Sequence, residues 1–145
     1  MTSSLLQARA ALPVLFLVAV LVFLVPDSPQ ADDKDSAIQT VILEQIEAFA
    51  NDDEEAAWGV ASEGIKQRFG SSEVFLSMVK EAYPAVHRAT SIEFVKRVPH
   101  DTFEIQVVRL QGPEGQRWDA YYRMIPVEGA WKIGGVQLQK ADPGI

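Results

Sequence analysis

The chain has 145 residues, no cysteine and two histidines. That length suits one domain. The missing thiols exclude a disulfide framework, a thiolate metal site, a cysteine nucleophile and a lipidated N-terminal cysteine, and two histidines are too few for a three-histidine metal centre. The formal charge of −7 sits in one stretch: Asp27 to Glu63 carries eleven acids and one lysine, whereas Gly64 to Ile145 carries nine acids and eleven bases. A net negative chain without a basic stripe argues against nucleic-acid binding, and the acidic stretch reads as a solvated face.

Ala10 to Val25 is a run of sixteen residues without a charge, preceded by Arg9 and followed by Asp27, Asp32, Asp33 and Asp35. That charge order favours a cytoplasmic N-terminus and an exported remainder. Residues 1–31 are therefore read as a signal peptide, or alternatively an N-terminal membrane anchor, with its linker. Residues 32–35 are read as acidic linker and residues 36–142 as the folded domain. The expected location is periplasmic or secreted. With an uncleaved anchor, the domain would be held at the inner membrane, outside the cytoplasm.

From Ser36 the pattern turns helical. Ile38, Ile42, Ile46 and Phe49 recur at three- and four-residue steps and predict one buried stripe. Asp53 is placed to cap a second helix with Glu54 and Glu55 in its first turn, where acids suit the dipole. Ala57, Trp58 and Ala61 form its expected buried face. Ile65 and Phe69 follow on a short turn closed by Gly70. Ser71 or Ser72 caps a third helix whose apolar face is Val74, Phe75, Met78, Val79 and Ala82. Pro84 ends it, because the residue before a proline avoids helical geometry.

Four strands are predicted next: Ile92 to Val98, Phe103 to Gln111, Gln116 to Ile125 and Ala130 to Leu138. Three four-residue turns, PHDT, GPEG and PVEG, would join them into an antiparallel meander. That register pairs Val98 with Phe103, Gln111 with Gln116 and Ile125 with Ala130. It gathers Ile105, Val107, Trp118, Ala120, Tyr122, Met124, Trp131 and Ile133 on one face, with Arg109 and Gln137 as polar intruders. The opposite face takes Glu93, Glu104 and Asp119 and is expected to be solvated or a homodimer surface. One conflict remains, Arg123 beside Lys132. Gly134 and Gly135 within the last strand suggest a bulge or bend. Three helices on one face of an antiparallel sheet make an α+β fold.

The strings ASEGIKQRFGSSEVFLSMVKEAYPAVHR, GQRWDAYYRM and EGAWKIGGVQL resemble a bacterial domain-of-unknown-function family, number 4864, over about Ser36 to Gln139. The family is similar to the nuclear-transport-factor-2-like superfamily. That resemblance implies three helices packed on the concave face of a curved four-stranded sheet, together a cone. The superfamily includes isomerases, dehydratases and cyclases as well as binding and dimerising domains without chemistry, so the fold carries little functional information. The family implies no catalytic residues for this chain.

No phosphate loop, dinucleotide fingerprint, nucleophile elbow or metal-ligand spacing is present, and no cofactor is implied. His100 and Asp101 read as a polar turn. In the predicted register Arg109 lies opposite Trp118, within reach of a cation–π contact, and Gln137 shares their row. Tyr83, His87 and Arg88 lead into the first strand at the same end. These six residues form the candidate ligand site, suited to a small anionic or amphipathic ligand. The function expected is non-catalytic small-ligand or protein binding. The alternative is a cofactor-independent lyase or isomerase with His87 as base and Arg109 holding an anion.

Overall fold

A computed structural model describes residues 29–142. The uncharged run Ala10–Val25 and the export reading attached to it lie outside the described residues. Among the described residues no helix is long and apolar enough to cross a membrane.

The first helix, α1 (Pro29–Ala50), begins upstream of Ser36 and takes in the stretch expected to be linker. Two of the expected linker residues are tied to the sheet. Lys34 Nζ donates to Glu104 Oε1 at 3.1 Å, and the Arg97 guanidinium donates to the Asp35 carboxylate. The predicted stripe is buried, with Ile38, Ile42, Ile46 and Phe49 each 4% exposed or less. Burying each side chain contributes roughly 1.5–3 kcal/mol.

Four short helices follow: α2 (Glu54–Gly59), α3 (Glu63–Phe69), α4 (Ser72–Ala82) and α5 (Pro84–His87). The caps are those the sequence indicates. Asp53 accepts from Ala56 N, Ser71 accepts from Val74 N, and Gly70 closes α3 at φ 78°, a left-handed conformation that glycine adopts without a Cβ clash. Ser62 caps α3 in the same way, turning the expected short turn into a helix. Pro84 does end α4, but it also opens α5 at a position where its missing N–H costs nothing. The buried face of α4 is Phe75, Leu76 and Val79, whereas Val74 is half exposed.

The sheet is the predicted meander, ordered β1 (Ser91–Pro99), β2 (Glu104–Gln111), β3 (Arg117–Val127) and β4 (Ala130–Lys140). Its register differs at every turn. The β3–β4 hairpin closes on Val127 and Ala130 with Glu128 and Gly129 between them, at φ 50° and 80°. Two positive φ values give the tight primed turn whose twist matches the strands. The β2–β3 loop has one residue more than expected, so Gln111 pairs with Arg117 and not with Gln116. A one-residue slip exchanges the faces of a strand. On β2, Glu104, Gln106, Val108 and Leu110 therefore face the helices beside Met124, Tyr122, Ala120 and Trp118. Ile105, Val107 and Arg109 move to the outer face. Bulges at Val95 and beside Gly134 correct the register of the two edge strands. The second is the bend that the glycine pair suggested, and it turns Val136 and Leu138 inward and Gln137 outward. The conflict of Arg123 with Lys132 vanishes: their strand partners are Gly135 and Ile125, and Lys132 Nζ donates to Gly59 O.

Candidate functional site

The true register separates the six residues grouped from the sequence. Arg109 stands opposite Asp119 on the outer face, with Nε and Nη2 donating to the two carboxylate oxygens at 2.9 and 3.2 Å. That bond and the Asp119 charge raise the Arg109 pKa further. Trp118 stands opposite Leu110, so the expected Arg109–Trp118 stack does not form. His87 is buried and turned to the end of α1, its Nε2 2.8 Å from Asp52 Oδ1. An ionised carboxylate only accepts, so the imidazole donates. Arg88 donates to Ala50 O and lies 3.6 Å from Asp52. His87 and Arg109 thus turn to different carboxylates, Asp52 and Asp119, and do not converge on one small ligand. Tyr83, Trp118 and Gln137 do meet, around a shallow groove between the α4–α5 corner and the ends of β3 and β4.

Asp52 holds a left-handed conformation at φ 53° and gathers His87, Lys80 at 3.3 Å and Arg88. The hydrogen bond from His87, then Lys80 and Arg88, holds its pKa below the ordinary 3.8. A depressed carboxylate pKa stabilises the fold above the unfolded value, and the contribution is lost as pH falls through the folded one. Asp52→Asn keeps a side chain that tolerates positive φ. It should melt below wild type at neutral pH, with the two thermal curves converging as pH drops below 3.8.

A second, half-open space lies where α1, α3, α4 and β4 meet. It is a cavity of about 370 Å³. Phe49 on α1, Phe69 on α3, Phe75 and Val79 on α4, and Ile133 and Val136 on β4 make its walls apolar. Each element has a reason to stand back there. Phe75 is ringed by Phe49, Trp58 and Phe69 at 5.6 to 5.7 Å between centroids, an aromatic cluster that props the helices apart. On β4 the cavity meets the backbone of Gly134 and Gly135. A Cβ at Gly134 would come within 2.4 Å of Ile125 Cδ1, so any larger residue there makes the Ile125 side chain shift.

Three polar groups reach this space: Gln45, Arg68 and Tyr83. Arg68 is exposed in the last turn of α3, its guanidinium 5.5 Å from the Phe69 ring centre. Among the described residues no carboxylate lies within ion-pair distance of it. Gln45 is 2% exposed, and its Nε2 donates to Ala57 O at 3.1 Å. Tyr83 stands between the cavity and the shallow groove and lines both. Of these three only Tyr83 was singled out from the sequence. Gln45 did carry a signal: it occupies an apolar-stripe position, three residues after Ile42 and four before Phe49. A polar residue on such a stripe is buried with a partner or with a task. Arg68 carried no signal beyond following the helical turn.

Two further polar atoms are sealed in the core, Gln106 Oε1 and Tyr122 Oη, neither with a partner among the described residues. Burial pushes the Tyr122 hydroxyl pKa well above its ordinary value, so it stays protonated at neutral pH. Neither residue lines the cavity. No group of three His, Cys, Asp or Glu side chains is placed to hold a metal among the described residues.

Residues 31–144 match the family described as "Domain of unknown function (DUF4864)". The chain belongs to this family. The DUF4864 domain also resembles a crystal structure of an NTF-2-like protein of unknown function from Silicibacter pomeroyi DSS-3. The match has a TM-score of 0.53 and 16% identity, covering 76% of this chain and 98% of the other. At that identity the likeness shows the fold alone: an NTF-2-like α+β arrangement of helices on an open antiparallel sheet. None of the curated proteins matches the chain.

Proposed function

We propose that this domain is a non-catalytic binding module for a small amphipathic anion. The ligand's apolar body enters the cavity between α1, α3, α4 and β4, and its charged end meets Arg68. The observation that carries this reading is an apolar-walled cavity of about 370 Å³ bordered by an exposed arginine with no carboxylate partner among the described residues. That volume lies within the range of roughly 300–1,000 Å³ usual for small-molecule sites. The lining contains no carboxylate and no imidazole. Those two groups are the usual proton-transfer bases, and with neither in the lining, binding without chemistry is the function these walls support best.

The ligand reading is tested by titrating the domain with 3-phenylpropanoate and its neutral amide, following binding by NMR. The carboxylate should bind about five- to tenfold tighter than the amide, the span of one exposed charge-assisted contact. Arg68→Met should remove that preference while keeping the amide's affinity. Equal binding of carboxylate and amide by wild type defeats the role of Arg68, and no binding of either defeats the site.

The domain's place outside the cytoplasm belongs to the same proposal. It is supported by the uncharged run after Arg9 and the acids that follow it.

A further inference from the structure

We infer that the ligand of this cavity carries a hydrogen-bond donor, a hydroxyl or an N–H, at its buried end, and that Gln45 Oε1 receives it. The inference rests on the binding reading above and names the chemistry of its ligand. Gln45 projects from the C-terminal third of α1 into the cavity wall at 2% exposure. Its amide is not free to turn over. Ala57 O only accepts, so Nε2 must face it, and a flipped amide would set two acceptors against each other. The carbonyl oxygen is then fixed. No described residue donates to it, and it is not among the sealed unpartnered atoms of the core, which are Gln106 Oε1 and Tyr122 Oη. Oε1 is thus held in place without a donor among the described residues, on a side chain that lines this cavity.

An acceptor held rigid in an apolar wall discriminates strongly. A ligand without a donor leaves the oxygen desolvated and unpaired, whereas one with a donor completes it. Of the other polar groups at the cavity, Tyr83 both donates and accepts and so selects neither, and Arg68 donates from the exposed side. The combination describes a hydroxylated or amino-bearing carboxylate with an apolar frame between the two ends.

The test compares 3-phenylpropanoate with its 3-hydroxyphenyl, 4-hydroxyphenyl and 4-methoxyphenyl forms on the full folded domain. At least one hydroxylated probe should bind about tenfold or more tightly than the parent, and the methoxy probe, which only accepts, should not. Gln45→Met keeps the volume without the acceptor and should level the series. In wild type, the Gln45 side-chain amide resonances should shift with the hydroxylated probe and not with the parent, which decides the matter even if the variant folds poorly. Equal binding of hydroxylated and parent probes overturns the inference and leaves the cavity's anion-binding role standing. So does a hydroxyl preference that survives Gln45→Met. Failure of every probe to bind removes the binding reading itself.

Discussion

Phe49→Ala should destabilise the domain by about 3–5 kcal/mol, the usual cost of deleting a buried aromatic ring. Phe49 is 1% exposed and stands 5.7 Å from Phe75, ring centre to ring centre. It closes the predicted α1 stripe and also forms part of the cavity wall. Deleting it joins the space of the lost ring to the existing cavity, and the surroundings have little freedom to close over it. The end of α1 is held by the Arg88 bond to Ala50 O and by backbone bonds from Asn51, Asp52 and Asp53. The cavity term therefore adds to the transfer term. Phe49→Leu should recover more than half of the loss, because volume is largely restored. Urea unfolding followed by circular dichroism measures both. A loss under about 1 kcal/mol for Phe49→Ala would mean that α1 does not pack on the sheet as described. Ligand binding is a separate readout, since the enlarged space should also weaken shape selection among the probes.

What was legible in the sequence divides along physical lines. Signals written into neighbouring residues were read well: the α1 stripe, the caps Asp53 and Ser71, the Gly70 stop, four strands and their order. The family strings led to the NTF-2-like fold. Signals that depend on a single residue of turn length were not. Only Glu128 and Gly129 of PVEG form the turn, because Glu128 accepts a positive φ that its residue type makes uncommon. One extra residue between Gln111 and Arg117 then moved Arg109 to the outer face. The candidate site grouped from the sequence depended on that register, so it came apart into an Arg109–Asp119 pair, a His87–Asp52 pair and a groove holding Tyr83, Trp118 and Gln137. The cavity was hidden for a different reason. Its lining comes from elements distant in sequence, and apolar residues lining a cavity look the same as apolar residues filling a core. Besides Tyr83, the one signal in the sequence is Gln45, a polar residue on a buried stripe.

The acidic stretch taken for linker leads to the second large effect. Glu104→Ala should cost about 2–3 kcal/mol, below the 3–5 usual for breaking a buried ion pair. Glu104 sits on the inner face of β2 with only 7% of its side chain exposed, accepting from Lys34 at 3.1 Å and Arg97 at 3.0 Å. Removing it strips two cations of a common partner. Arg97 nevertheless keeps the Asp35 carboxylate and some access to water, which moderates the loss. Asp35, with Glu104 second, also raises the Arg97 pKa, so Arg97 stays charged in Glu104→Ala. Arg97→Ala alone should be costly for the complementary reason, leaving the buried Glu104 with Lys34 only. The double variant should lose clearly less than the two single losses combined, because no buried charge is left unmatched by it. Urea unfolding of the four proteins completes the cycle. The coupling should persist at high salt, since screening reaches enclosed pairs poorly. Additivity within about 0.5 kcal/mol would mean that the two groups do not share an interaction. Arg97 on β1 and Glu104 on β2 would then not pair across the two strands as described.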